Sequence, residues 1–442
     1  NDRFPTHYLE SNLGSMNLAK KFVFTLSLSL GTLSCAHTQN ISFTEIVSDF
    51  PGPNKNLRKW DAPVIADLDQ DGYPDILLND HGFSVQVRWN NKGHFAKPFD
   101  LIMGDMHGIS VGDFNHDGDL DIAISRGGGS GSNARTTKLF SVNRNRKFKA
   151  LPDFYVPLKL IRGRTLKWFD GDNDGDLDLI DFAFPSTERK GQSENYIYQN
   201  DGAGQLQLAN ELPAIKMDGQ KTLLCDFNGD GIRDIILYGN GSIKAYQGKG
   251  DLSYEEVSKN IFPKEIEEVT AIVEFDFDND GDFDLYCTRG QEFEIGETFF
   301  DSETRRWGFF TKRGVSNFAD MVMDEVIQIE NFQSQWPNKS LFIGETAYSY
   351  EYPGETHSGR DIRLVNSDAL GFPDQLIKKG AYIGYIGNQK WRFGVNNWAP
   401  STGVLQGVKN YPKYDHPIGL PDVLLENKQG LFVDITKQAQ VL

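Results

Sequence analysis

The sequence predicts an all-β protein built as a β-propeller. An aspartate-rich loop occurs five times, and each copy lies between two short apolar runs typical of buried strands. The copies begin at residues 67, 113, 170, 226 and 276, so their spacing is 46 to 57 residues. That spacing accommodates four short strands per repeat, which is the size of a propeller blade.

Each loop has the pattern Asp-x-(Asp/Asn)-x-Asp-Gly-x-x-Asp, which predicts a calcium site. Calcium prefers six to eight oxygen ligands, and the side chains at loop positions 1, 3, 5 and 9 can supply them together with the carbonyl at position 7. Glycine at position 6 permits a sharp turn with positive φ. The predicted ligands are Asp67, Asp69, Asp71 and Asp75 in loop 1; Asp113, Asn115, Asp117 and Asp121 in loop 2; Asp170, Asp172, Asp174 and Asp178 in loop 3; Asp226, Asn228, Asp230 and Asp234 in loop 4; and Asp276, Asp278, Asp280 and Asp284 in loop 5.

Two other classes of calcium loop are excluded by the residues on the C-terminal side of the pattern. An EF-hand requires a bidentate Glu at position 12, where this chain has Leu78, Ile124, Asp181, Leu237 and Cys287. A dockerin-type loop continues into a helix, whereas these loops continue into strand-like runs such as Ile-Leu-Leu at 76–78. The loops therefore belong between β-strands.

The acidic composition reflects these loops. The net charge is −17, and the five loops together hold 21 carboxylates, so five bound calcium ions would bring the net charge to about −7. Duplex nucleic acid is excluded as a partner because neutralising phosphates requires a basic face. The small basic cluster of Arg144, Arg146, Lys147 and Lys149 is interpreted as a solvated strand edge.

The N-terminal region predicts export. Residues 1–15 are interpreted as an upstream leader or added segment, and residues 16–35 as a signal peptide with the apolar core Phe22 to Leu33. Thr32-Leu33-Ser34-Cys35 resembles a bacterial lipobox, which predicts a lipid anchor at Cys35, while Ser34-Cys35-Ala36 also fits ordinary cleavage. The expected location is secreted, periplasmic or anchored to the outer membrane. Cys225 and Cys287 are expected to be small buried residues that need no disulfide.

The repeats predict the domain organisation. Residues 41–314 are assigned to blades with the five calcium loops, the fifth blade ending in an outer strand at Trp307 to Thr311. Two weak copies are present at Asn366 to Asp374 and at Gly419 to Leu425, and counting both favours seven blades. The alternative is six blades with a β-rich insertion near 315–412 in place of a degenerate blade. Residues 413–442 are assigned to the last blade and its closure strand, with the segment Phe43 to Val47 completing the ring.

The five loops and their flanking strands resemble the FG-GAP/VCBS repeats of bacterial surface proteins and the calcium-binding blades of the integrin α-subunit propeller. The resemblance covers residues 55–300 well and the C-terminal tail weakly, although the Phe-Gly and Gly-Ala-Pro elements that name the family are not visible. It implies a calcium-stabilised propeller used mainly in adhesion or surface binding.

No catalytic residues are assigned. His107, next to Gly108, and His116, within loop 2, are interpreted as loop residues, and the sequence contains no nucleophile elbow or zinc-protease motif. The favoured hypothesis is a non-catalytic, monomeric module that binds a protein or glycan at the bacterial cell surface. The alternative is a carbohydrate-active enzyme on the same scaffold, a lyase or hydrolase of an acidic polysaccharide. A converging His/Tyr/Arg cluster on the ring face would favour the enzyme.

Overall fold

The computed structural model describes residues 62–440, except for 81–83, 128–134, 153, 155–157, 184–194, 214–220, 240, 291–295, 312, 335–339, 351–359, 398–400 and 413–418. The chain divides into two units, Asn1–Val47 and Ser48–Leu442, and the first lies outside the described residues. The predicted leader, the signal peptide, Cys35 and the Phe43 to Val47 closure strand therefore also lie outside them. No helix within the described residues is long and apolar enough to cross a membrane.

The first four repeats each form a four-stranded antiparallel sheet in which the strands are paired in chain order. The loop with the calcium pattern always joins the first strand of the sheet to the second. The strands of the first sheet, with a short hairpin before its last strand, are β1 (Val64–Ala66), β2 (Asp75–Asp80), β3 (Ser84–Arg88), β4 (Asn90–Asn91), β5 (His94–Phe95) and β6 (Phe99–Met103). Those of the second are β7 (Met106–Gly112), β8 (Leu120–Arg126), β9 (Lys138–Val142) and β10 (Phe148–Ala150).

The third and fourth sheets repeat this arrangement. The strands of the third are β11 (Gly163–Phe169), β12 (Asp178–Ala183), β13 (Asn195–Asn200) and β14 (Leu206–Leu212). Those of the fourth are β15 (Lys221–Cys225), β16 (Asp234–Tyr238), β17 (Lys244–Gly248) and β18 (Tyr254–Glu256), after which comes the one-turn helix α1 (Ser258–Ile261).

The fifth sheet is built from two distant parts of the chain. It begins with β19 (Val269–Phe275) and β20 (Asp284–Arg289), and it is completed by the two C-terminal strands, with Cys287 paired to Val423. The residues between these parts form an insertion with two sheets. Its strands are β21 (Thr298–Asp301), β22 (Arg306–Thr311), β23 (Gly314–Asn317), β24 (Met321–Val322), β25 (Val326–Ser334), β26 (Leu341–Ile343), β27 (Tyr348–Ser349), β28 (Arg360–Val365), β29 (Gly380–Gly387), β30 (Lys390–Asn397) and β31 (Ser401–Gln406), and the sheet-completing strands are β32 (Val423–Lys428) and β33 (Leu431–Asp434).

Adjacent sheets pack face to face because successive residues of a strand point to opposite sides. In β12, Leu179 packs in a core with the second sheet and Ile180 packs in a core with the fourth, and both side chains are fully buried. A sheet buried on both faces by its neighbours is the packing of a propeller blade. Cys225 and Cys287 are free and buried in the core between the fourth and fifth sheets, as expected for small apolar residues.

The described residues confirm the all-β propeller fold but not the count of seven blades. Five sheets carry the calcium pattern and have the four-stranded blade order, whereas the insertion forms a five-stranded and a six-stranded sheet with a separate core around Trp307 and Phe393. The weak copy at residue 366 forms a short 3-10 turn, Asn366–Asp368, and the copy at Gly419 leads into β32 of the fifth blade. Neither copy starts a blade of its own.

Two boundaries differ from the sequence analysis. Trp307 to Thr311 is not the outer strand of the fifth blade, because β22 pairs with β21 and β31 inside the insertion. The insertion strands therefore begin at Thr298 rather than near residue 315. Residues 423–434 supply the third and fourth strands of the fifth blade, so the C-terminus completes a sheet that starts near residue 269.

Candidate functional site

The five loops adopt one shared backbone conformation. Positions 4 and 6 both have positive φ: 55° and 92° for Gln70 and Gly72 in loop 1, and 60° and 93° for Asn173 and Gly175 in loop 3. A Cβ added at either glycine would meet no atom within 4 Å. Glycine is therefore required by the left-handed backbone and not by lack of space, as the sequence pattern predicts.

The position-1 aspartate organises each loop through its own backbone. In loop 1, Asp71 N donates to Asp67 Oδ1 at 3.0 Å and Gly72 N donates to Asp67 Oδ2 at 2.8 Å. The same pair of bonds recurs in loop 4, where Asp230 and Gly231 donate to Asp226. These carboxylates hold the turn even without a cation.

The position-9 aspartates have a second role that the sequence analysis did not identify. All five are completely buried: Asp75, Asp121, Asp178, Asp234 and Asp284. In loop 3, Gly171 N donates to Asp178 Oδ2 at 3.0 Å and Asn200 N, at the end of β13, donates to Asp178 Oδ1 at 2.9 Å. The same two bonds occur in loops 1, 4 and 5. In these four loops the position-9 carboxylate therefore links the loop to the third strand of its blade.

Carboxylates converge in three loops closely enough to hold a cation. Oxygens of Asp67, Asp69 and Asp71 lie within 4.8 Å of one another, and so do those of two further groups, Asp170 with Asp172 and Asp178, and Asp276 with Asp278 and Asp284. Loops 2 and 4 have asparagine at position 3, and its amide donates to the position-5 aspartate, at 3.2 Å from Asn115 to Asp117 and at 2.8 Å from Asn228 to Asp230.

Buried oxygens in loops 2 and 3 fit a bound cation. Asp170 Oδ1, Asp172 Oδ1 and both carboxylate oxygens of Asp121 are buried and accept no well-aligned hydrogen bond within the described part of the chain, although the Phe114 amide lies close enough to Asp121 to lower its pKa in part. Burial, reinforced by the neighbouring Asp117 and Asp113, raises the pKa of Asp121 to about 7. A buried carboxylate without a donor is costly, and a hard divalent cation would supply the missing interaction.

Neighbouring loops are linked through the side chain at position 4. Gln70 Nε2 donates to the Gly118 carbonyl of loop 2 at 2.8 Å, His116 Nε2 lies 2.9 Å from Asp176 Oδ1 of loop 3, and Asn173 Nδ2 donates to the Gly231 carbonyl of loop 4 at 2.9 Å. Loop 4 has Gly229 at this position, so it has no side chain to reach loop 5. His116 is a loop residue, as predicted, and its contact with Asp176 links loop 2 to loop 3.

His107 is not a loop residue, in contrast to the sequence interpretation. It lies on β7 with only 1% of its surface exposed, and its Nε2 is 3.0 Å from Asp105 Oδ1. Burial lowers the pKa of His107 to about 4, and Arg164 and Arg162 on the next blade add to this effect although the bond to Asp105 opposes it. A neutral imidazole at neutral pH therefore donates to the Asp105 carboxylate.

This Asp105/His107/Arg162/Arg164 cluster lies at the ends of the strands away from the calcium loops, because the first strands of the second and third blades begin there. Burial also lowers the pKa of Arg164 to about 9. His107 is too buried to contact a large substrate, so within the cluster it can only position the partly exposed Asp105.

The fold and the loops define a β-propeller with an Asp-rich turn in each of five blades. The family model for FG-GAP-like repeats matches residues 67–124 and 226–287, which contain loops 1, 2, 4 and 5. These two segments are FG-GAP-like repeats. Comparison with curated proteins finds no relative by sequence.

Solved structures with a similar arrangement include three from different organisms. One is an Agrocybe aegerita protein described by its recognition of non-reducing terminal N-acetylglucosamine (16% identity, TM-score 0.35, covering 56% of this chain and 62% of that protein). Another is the exo-β-1,3-galactanase of Phanerochaete chrysosporium (8% identity, TM-score 0.34, 80% and 94% coverage). A third is the V. cholerae biofilm matrix protein Bap1 (9% identity, TM-score 0.24, 85% and 70% coverage). The chain spans about three fifths of the length of the Agrocybe protein.

Proposed function

We propose that this protein is a calcium-stabilised propeller that binds a protein or glycan ligand at the bacterial cell surface. The observation that supports this proposal is a difference between the two ends of the blades. One end holds the five short loops, whose carboxylates bond to their own backbone and to the adjacent strands. The carboxylates at this end maintain the scaffold, and an ion bound only by the folded state adds about 2.7 kcal/mol at a hundredfold excess over its Kd.

The opposite end carries the connections that differ most in length between the blades. The connection between the second and third strands runs from Arg126 to Lys138 in the second blade and contains the whole insertion in the fifth. Connections of this kind, placed on a rigid scaffold, are where binding residues concentrate. The insertion also exposes apolar side chains, including Tyr348 at 45% and Leu370 at 62%. The ligand surface is therefore assigned to the insertion end.

The insertion can be removed without interrupting a blade. Arg289 N donates to Asp422 Oδ1 at 2.9 Å and the Tyr286 hydroxyl donates to Asp422 Oδ2 at 2.7 Å, so the end of β20 lies beside the start of β32. Replacing residues 291–418 by a short Gly-Ser turn is expected to leave a folded, calcium-responsive propeller that has lost ligand binding. Glycan-array binding and capture of surface proteins, each with and without chelator, measure the loss.

A companion point variant is Tyr348→Ala in the full chain, which removes an exposed apolar side chain of the insertion without deleting any strand. Weakened binding by this variant would support the assignment to the insertion. If the deletion variant binds the same ligand as the full chain with the same affinity, the ligand surface lies elsewhere on the propeller.

The second candidate is a carbohydrate-active enzyme that acts on an acidic polysaccharide. It is favoured by the Asp105/His107/Arg162/Arg164 cluster, where a partly exposed carboxylate lies beside two guanidinium groups. A depolymerisation screen on acidic polysaccharides tests it. Activity that persists through purification and disappears in Asp105→Asn, while calcium binding is retained, would replace the binding proposal.

Surface attachment through Cys35 is part of the proposal and has its own test. The Thr32 to Cys35 lipobox-like segment supports acylation at Cys35. We expect protein from the bacterial membrane fraction to begin at Cys35 and to carry acyl mass, as measured by intact mass spectrometry. A mature N-terminus at His37 without acyl mass would indicate a soluble, secreted form.

A further inference from the structure

Loop 1 differs from the other loops because a cation of the protein already contacts it. Arg146, in the hairpin between β9 and β10 of the second blade, donates from Nε to Asp69 Oδ2, and its Nη2 lies 3.4 Å from Asp71 Oδ2. Asp69 and Asp71 are two of the three carboxylates that converge in this loop. The same guanidinium spans the blade boundary, so loop 1 is held by a residue of the next blade.

The surroundings keep this guanidinium in place. Arg146 Nη1 donates to Asn91 Oδ1 at 2.6 Å, and the guanidinium carbon lies 4.9 Å from the ring centre of Trp89. Asp69 is almost entirely buried, with 4% of its side chain exposed. A planar, permanently charged group stacked on an aromatic ring and bonded to a buried carboxylate is a stable counter-ion.

The other four loops have no such direct contact in the part of the chain that the structure describes: the nearest case is Lys428, which interacts electrostatically with Asp278 and Asp280 of loop 5 but pairs with Glu426 at 2.8 Å. Within the described residues, no lysine or arginine forms an ion pair with a carboxylate of loops 2 to 5. The equivalent hairpins bring small or neutral groups to the preceding loop, such as Gly204 beside Asn115 and Gly430 beside Asn228. Among the described residues, buried carboxylate oxygens without a hydrogen bond occur in loops 2 and 3, and loops 1, 4 and 5 have none.

We propose that Arg146 is a built-in cation for loop 1, which makes this loop a weaker calcium site than loops 3 and 5 and keeps it ordered when calcium is removed. This inference rests on the proposed role of the loops as calcium sites. Calcium in loop 1 would share Asp69 and Asp71 with the guanidinium, and two cations that share carboxylates repel each other. The affinity of loop 1 is therefore expected to be at least tenfold lower than that of loop 3.

Hydrogen exchange of the full-length protein, measured by mass spectrometry on its peptic fragments, resolves the loops individually. In chelator, the backbone amides of loop 3 are expected to lose protection at least tenfold, while those of Asp71 and Gly72 in loop 1 keep theirs. If loop 1 loses protection in chelator as fully as loop 3, the proposal for Arg146 is wrong. If no loop responds to calcium, the calcium role in the proposed function fails instead.

Arg146→Gln is the decisive variant and Arg144→Gln is its matched control. Arg144 lies in the same hairpin but donates to the neutral Gln70 side chain, at 2.7 Å from Nη2. In Arg146→Gln, loop 1 is expected to lose protection in chelator and to regain it with calcium, and native mass spectrometry at limiting calcium should count one more bound ion than in the unaltered protein. Arg144→Gln should match the unaltered protein.

Arg146→Lys retains a charge, so it covers the case in which Arg146→Gln does not fold. In chelator, the loop 1 amides of the lysine variant should exchange more than a hundredfold more slowly than fully unprotected amides. Equal ion counts for all these variants and the unaltered protein would overturn the proposal.

Discussion

Asp178→Ala is expected to lower the free energy of unfolding by about 3–5 kcal/mol, and most of this loss should persist after chelation of calcium. The substitution leaves two buried donors, Gly171 N and Asn200 N, without their acceptor. Each orphaned buried donor costs about 1–3 kcal/mol. The alanine also leaves a small gap in a site that is otherwise completely buried.

Asp174→Ala, in the same loop, is the control that isolates the metal. Asp174 is exposed and accepts one bond within the loop, from Asp176 N at 2.9 Å. At saturating calcium, Asp174→Ala should reduce the free energy of unfolding by about 1–3 kcal/mol, because one charged ligand of the ion is removed. In chelator the reduction should be much smaller. Urea denaturation of both variants in calcium and in chelator measures the four values.

The two variants therefore separate roles that the sequence pattern assigns to the same ligand set. If the loss caused by Asp178→Ala disappears in chelator, position 9 acts through the ion alone. If Asp174→Ala is equally destabilising in calcium and in chelator, the loop does not depend on a bound cation.

The loops and their flanking strands could be predicted from the sequence because the features that define them are local. Gly175 must come directly after Asp174 for the turn to form, and β12 must begin at Asp178 for its side chain to reach Gly171, so all the constraints fall within nine residues. The same repetition at regular spacing predicts the blades. The sequence pattern alone predicts metal binding at position 9, because a metal ligand and a buried hydrogen-bond acceptor produce the same pattern in sequence.

The composition of the fifth blade could not be predicted in the same way. Its third strand pairs with β20 across a separation of more than a hundred residues, from Cys287 to Val423, and no local signal marks that pairing. Trp307 and Phe309 have the alternation of a blade strand, yet their side chains are buried in the core of the insertion. Alternation shows that a strand has a buried face but not which sheet covers it.

Side-chain contacts between adjacent blades also could not be predicted from the sequence. The sequence predicts a solvated strand edge at Arg144 and Arg146, which is wrong for both. They reach loop 1 from the next blade, 74 and 77 residues away from Gln70 and Asp69. The position of His107 on an inner strand depends on the packing of the second blade against the third. Only the three-dimensional register of adjacent blades brings these side chains to their partners.

Asp181 provides the second large expected effect, because it is an acid buried between the second and third blades. It lies on β12 with 1% of its surface exposed, and it accepts hydrogen bonds from Thr137 Oγ1 at 2.7 Å and Ser125 Oγ at 3.4 Å. Burial raises the pKa of Asp181 to about 7, and the two hydroxyl donors offset only part of the increase. Two tyrosines of the adjacent strand β13 lie near it: Tyr196 is paired with Asp181 in the sheet, and Tyr198 has a pKa raised mainly by burial and further by Asp181.

Because the pKa of Asp181 is higher in the folded state than in the unfolded state, its contribution to stability decreases as the pH rises. Between the ordinary aspartate pKa near 4 and the folded value of about 7, the folded state binds one proton that the unfolded state has released. The contribution of Asp181 to stability is therefore complete below the unfolded pKa and is lost as the pH rises to 7. Above pH 7 the buried carboxylate is ionised, and its net cost reaches about 4 kcal/mol as an upper bound.

Asp181→Asn is expected to remove this cost, because the amide has the shape of a protonated carboxyl group and keeps its carbonyl as an acceptor for Thr137. The variant should be more stable than the unaltered protein at pH 8, by up to about 4 kcal/mol, and the difference should shrink as the pH falls from 7 to 5. Urea denaturation at saturating calcium across this range measures it, with the exposed Asp374→Asn as control. A difference that does not change with pH would show that Asp181 stays ionised throughout, so that the two hydroxyl donors compensate its burial in full.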